Sequence, residues 1–168
     1  MLKRTRTSLV AVLLVASLAG VACGGGEGKP KAGTPAATGV APDCSVAPLD
    51  VVKTSLGLEL TGPIVDPTPG GTFCTFAPLR GGNASHQVKL VGNVDKASFA
   101  LARDGFKAAN NPVKKIGGWG DEAYAASVFS YSDINTFAVR KGKVSVTIIS
   151  PVDYDHIKKL MKVILQKV

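Results

Sequence analysis

Cysteine, histidine and aromatic residues are scarce in this 168-residue chain, which holds three Cys, two His, one Trp and 6% aromatics. Each scarcity excludes something. There is no C-x-x-C, and two scattered histidines lack the ligand spacing of a zinc site, so no metal is expected. No G-x-S-x-G elbow surrounds a serine, and H-E-x-x-H, Walker A and dinucleotide fingerprints are missing. His86 opens an expected strand and His156 sits in the first turn of the last helix, where structural or solvent-facing roles are commoner than catalysis. No catalytic residue and no cofactor is therefore expected, and the chain reads as a non-enzyme. Long hydrophobic runs are missing too. The uncharged stretch Ser8 to Ala22 is short of the roughly 20 residues that cross a bilayer as a helix.

Charge of one sign is abundant in total but not where it would matter for nucleic acid. The formal net charge is +8. Lys3, Arg4 and Arg6 precede the apolar run, and Lys29 and Lys31 face Glu27 in a low-complexity stretch. From Pro42 onward 15 Lys+Arg meet 11 Asp+Glu, leaving a mildly basic remainder. With export and few aromatics, nucleic acid is not an expected partner.

A basic start, a short apolar run and then Gly20-Val21-Ala22-Cys23 read as a secretory signal over 1–22. A small residue before a cysteine at that point resembles the lipobox of bacterial lipoproteins. There the thiol of the cysteine, here Cys23, is diacylated and the signal is cut before it. An ordinary secreted protein with a stray Cys23 is the alternative. Residues 24–42 are Gly, Pro, Ala, Thr and Lys, with Glu27 and with Val40 the lone bulky apolar side chain, a composition expected to stay disordered. Such a linker spans about 25 Å root-mean-square. The expected organisation is a signal (1–22), a lipidated Cys23 with a linker (23–42) and one domain (43–168). The expected location is a bacterial membrane, facing the extracytoplasmic side, with the membrane as partner through the lipid.

Lipidation of Cys23 leaves Cys44 and Cys74, which export would place in an oxidising compartment. A Cys44–Cys74 disulfide is expected, with free thiols or half a metal site as the alternatives.

Pro48 opens a first helix with Leu49, Val52 and Leu56 on one face and Gly57 as its stop. Thr61 to Gly71, with three prolines and three glycines, reads as a loop. Thr72–Ala77 and His86–Val91 read as a hairpin. Asp95 caps a second helix whose buried face is Phe99, Ala102 and Phe106. Val113–Ile116 is an extended piece. Three more strands follow at Tyr124–Phe129, Asn135–Arg140 and Lys143–Ser150, the last two joined at Lys141-Gly142. Ile149 stands opposite Val144, Val146 and Ile148, which implies that both sheet faces are partly covered. Ser150 caps the last helix, with Ile157, Leu160, Met161, Ile164 and Val168 as its apolar stripe. The expected fold is α+β, an antiparallel sheet of about five strands flanked by helices in the order α-β-β-α-β-β-β-α, with one disulfide.

The series C-S-V-A-P-L-D-V-V-K-T-S-L-G, then F-C-T-F, then I-G-G-W-G-D-E-A, then F-A-V-R-K-G-K-V-S-V and a closing amphipathic helix resembles the domain-of-unknown-function 3558 lipoproteins of bacteria. The resemblance implies a small surface lipoprotein with an internal disulfide. Related exported domains are similar to the photosystem oxygen-evolving accessory and nuclear-import factor fold, an analogy that carries no function.

The expected function is a non-enzymatic binding or accessory role at the membrane. A carrier or sensor for a small lipid-like ligand in an apolar cavity is the alternative, and a hydrolase with a non-standard site a further one. Candidate contact residues are Trp119 and Asp121, in the glycine loop, and Arg140, Lys141 and Lys143 at the hairpin tip. Each has a plainer reading. Trp119 plugs the end of the core, Asp121 bonds turn amides, and the basic tip is a solvated surface.

Overall fold

The computed structural model describes residues 42–80, 84–129 and 133–168. The expected signal, Cys23 and the linker up to residue 41 lie outside the described residues. The described residues form seven strands and three α-helices. These are α1 (Leu49–Leu56), β1 (Leu60–Thr68), β2 (Gly71–Pro78), β3 (His86–Val91), α2 (Lys96–Ala108), β4 (Val113–Lys115), β5 (Glu122–Phe129), β6 (Asp133–Lys141), β7 (Val144–Ser150) and α3 (Tyr154–Leu165). The strands make one antiparallel sheet in the order β1-β2-β3-β7-β6-β5-β4.

The α+β class and the antiparallel sheet hold, but the count of about five strands becomes seven. One extra strand is β1, in the segment read as a loop. Its prolines and glycines are accommodated because it is an edge strand, where a Pro whose nitrogen faces away from the neighbouring strand forfeits no ladder bond. The register shifts between Thr61 and Ile64, around the cis Gly62–Pro63 peptide. The other is the three-residue β4, the extended piece before the glycine loop. The order is thus α-β-β-β-α-β-β-β-β-α. The cap of α3 is Asp153 rather than Ser150, its carboxylate accepting from the amides of Asp155 and His156. The β6–β7 turn is Gly142-Lys143, since Lys141 still pairs with Val144.

Alternation along the strands sorts side chains onto two faces. One face carries Cys74, Phe76, Val88, Leu90, Phe137, Val139, Val146 and Ile148, buried beneath the stripe Ile157, Leu160, Met161 and Ile164 of α3 and beneath Val52 and Leu56 of α1. The Cys44–Cys74 disulfide, with Cα atoms 5.7 Å apart, ties the 3-10 turn at Cys44–Val46 to this face. The opposite face is covered in part by α2, through a smaller cluster of Phe99, Tyr124, Ala126 and Ala138. Among the described residues no helix is long and apolar enough to cross a membrane.

Candidate functional site

The glycine loop and the hairpin tip, two separate candidates in the sequence, lie side by side and bind each other. The Asp121 amide donates to the Arg140 carbonyl, and the Asp121 carboxylate accepts from the Gly142 amide at 2.8 Å and from Arg140 Nη1 at 3.1 Å. Arg140 Nη1 also reaches the Gly142 carbonyl. Its Nε sits 3.6 Å from Glu122 without a hydrogen bond. Lys141 Nζ donates to the carbonyls of Leu165 and Val168, closing the C-terminal end of α3. These three side chains are therefore latches among β5, β6 and α3. Lys143 is exposed. Trp119 is half-buried, its ring meeting Phe137 edge-on at 5.2 Å. It lines a shallow surface groove with Lys162 and Leu165.

Gly120 shows why the loop needs glycine. Its φ is +51°, and a Cβ there would stand 2.5 Å from the Arg140 carbonyl oxygen. Gly118 also has a positive φ, but open space around it. Gly120→Ala is expected to cost about 2–3 kcal/mol and Gly118→Ala about 1 kcal/mol, the difference being the clash. Urea denaturation of the two variants checks this, and equal losses would count against the tight seat.

The histidines stand apart. His156 Nδ1 lies 2.7 Å from the Asp153 carboxylate on an exposed helix start. His86 is buried, its Nδ1 2.8 Å from Ser150 Oγ, and burial lowers its pKa. A serine paired with a histidine invites a hydrolase reading. However, Ser150 is fully buried, and its Oγ accepts from the Val152 amide, which is a turn's geometry rather than that of an exposed nucleophile. A groove of about 660 Å³, lined by Leu60, Pro78, Leu79 and Val152 among others, opens beside His86. No cluster of three or more potential metal ligands exists among the described residues.

The feature that sequence reasoning missed lies under α2. This helix covers its sheet face loosely. Phe99 alone of its residues is buried, Phe106 is half-buried and Leu101 is 76% exposed. A cleft of about 310 Å³ remains between α2 and the sheet. Val91, Tyr124 and Ile149 form its floor, with Phe99, Ala102 and Phe106 above. Phe99 and Phe106 flank Tyr124 with ring centres 5.2 Å and 6.0 Å away. Burial pushes the Tyr124 phenol up to about 12, so it remains a neutral hydroxyl.

The chain matches no family model, no curated protein and no solved structure. Its functional reading rests on its own residues. The one sequence signal for the cleft was Ile149, apolar on the face opposite Val146 and Ile148. The sequence marks Phe99, Ala102 and Phe106 as apolar without saying that the helix stands off the sheet.

Proposed function

We propose that the protein is a lipid-anchored extracytoplasmic lipoprotein of a bacterial membrane whose single domain has a non-enzymatic binding or accessory role. The observation that carries the reading is the Cys44–Cys74 pair, joined across 30 positions of sequence. A structural disulfide belongs to an oxidising compartment, and the start of the chain supplies the export signal and an acylation site at Cys23 that lead there. Two or three acyl chains hold a protein stably on a bilayer, at about 0.8 kcal/mol for each buried CH₂. Of the candidate contacts Asp121, Lys141 and Lys143 are exposed and Trp119 is half-buried, while Arg140 and Asp121 bind the glycine loop to the hairpin tip.

Cys23→Ala is expected to abolish incorporation of a fatty-acid analogue and to release the protein from the membrane fraction. Labelling that persists in this variant overturns the anchor.

A second reading, a carrier of a small lipid-like ligand, is favoured by the cleft under α2. Concave, mostly apolar sites of roughly 300–1,000 Å³ are the usual setting of small-molecule binding.

A further inference from the structure

We propose that the cleft beneath α2 binds a single-chain amphiphile with one anionic head group, the chain against the aromatic wall and the head at Lys89. The proposal rests on the carrier reading and names its ligand.

The strand register builds the trough. Across this face of the sheet Lys89 of β3 stands beside Thr147 of β7, Thr147 beside Ala138 of β6, and Ala138 beside Tyr124 of β5. Thr147 thus lines the cleft between a cation at one end and an aromatic wall at the other, and Ala138 is buried beneath that wall with Phe99 and Tyr124. With strands about 4.8 Å apart, three steps span roughly 14 Å, the reach of a medium-length acyl chain. In the next row Val91 stands beside Ser145, and Ser145 beside Arg140. α2 roofs only the aromatic end. Asp95 caps its start by accepting from the Ser98 amide, and Val94 is held by the Lys143 carbonyl, which fix where the roof begins.

The charge of the site decides the class of ligand. None of the residues lining the cleft is acidic, and Lys89 is its one cation. Lys89 Nζ lies 4.9 Å above the Phe73 ring, on the part of the face that α2 leaves uncovered. There it can meet an anion without the anion entering the apolar end. Ser98, Ser145 and Thr147 add hydroxyls to the lining that can donate to a carboxylate or phosphate. A cationic amphiphile would meet Lys89 as a like charge. A two-chain lipid needs more room than about 310 Å³, a volume at the low end for ligand sites.

The test uses the full chain carrying Cys23→Ala, so that no attached acyl chain competes. Laurate, single-chain lysophosphatidylglycerol and uncharged dodecanol are titrated by calorimetry. Laurate or the lysophospholipid is expected to bind, the stronger of the two telling carboxylate from phosphate. Lys89→Met, which keeps the apolar stem, is expected to weaken the anionic ligand about tenfold and to leave dodecanol unchanged. Ala102→Phe, which fills the roof, is expected to abolish binding of all three. The proposal is overturned if neither anion binds, if Lys89→Met weakens dodecanol as much as laurate, or if Ala102→Phe binds like the parent. Those failures would leave the anchored-lipoprotein reading intact, since it is decided separately by labelling at Cys23.

Discussion

Replacing Cys44 and Cys74 together by alanine is expected to lower the stability of the folded domain by roughly 3.5–4 kcal/mol. The estimate follows from the 30 positions separating the two cysteines. Without the bond the unfolded chain regains the freedom of that loop. The folded state loses little in exchange, because alanine suits both buried sites. The loss should be global rather than local. Cys74 lies in β2 between Val65 of β1 and Val88 of β3, and Cys44 leads directly into Val46 and Ala47, which belong to the same core. For a domain of this size the melting temperature should fall by about 10–18 °C. Denaturation of the parent protein with and without reductant supplies the control, since reduction should reproduce the variant. A shift under about 1 kcal/mol would mean that the linked segment stays ordered in the unfolded state or strains the folded one.

The disulfide also marks how far the sequence could be read. With Cys23 read as an acylation site, the two remaining cysteines admit a single pairing, which the Cys44–Cys74 bond matches. The α3 stripe, the β2–β3 and β6–β7 hairpins and the cap at Asp95 were legible for a similar reason. Each follows from a local period or a turn residue with few alternatives. β1 was not legible, because Pro63 and Pro67 argue against a strand wherever both edges are paired. Only the sheet order reveals that β1 has a free edge. The cap of α3 was misplaced by three residues because Ser150 and Asp153 are both good caps. Packing decides between them by drawing Ser150 into its bond with His86. The candidate site was legible as residue types but not as roles. Asp121, Arg140 and Lys141 stood out as charges in turns, yet what each does depends on a partner 19 to 27 residues away. The cleft was hidden for a different reason. Small residues such as Ser145 and Thr147 in a strand look unremarkable singly, and become a trough only when the register sets them between Lys89, Val91 and the aromatic cluster under α2.

Phe137→Ala is expected to cost about 3–5 kcal/mol, the range for deleting a buried aromatic ring and leaving a cavity. Phe137 is fully buried, lies opposite Ala125 of β5 and Ile148 of β7, and faces the apolar stripe of α3. Its small neighbour Ala125 cannot swing in to fill the space, so the upper part of that range is expected. The same substitution separates the two readings of Trp119. The indole meets the Phe137 ring edge-on, a pair that contributes roughly 0.5–1.5 kcal/mol beyond burial. If Trp119 is a plug, removing its seat must loosen it. As Trp119 is the single tryptophan, its fluorescence emission should then shift to longer wavelength in the folded variant. Phe137→Leu, which keeps much of the volume, should cost less and shift the emission less. A large stability loss with unchanged emission would mean that Trp119 is held by Gly118 and Gly120 rather than by the core, leaving its ring free to serve as a contact. In that case the latch from Asp121 to Arg140 and Gly142 would be what presents the indole. Asp121→Ala should then move the emission where Phe137→Ala does not.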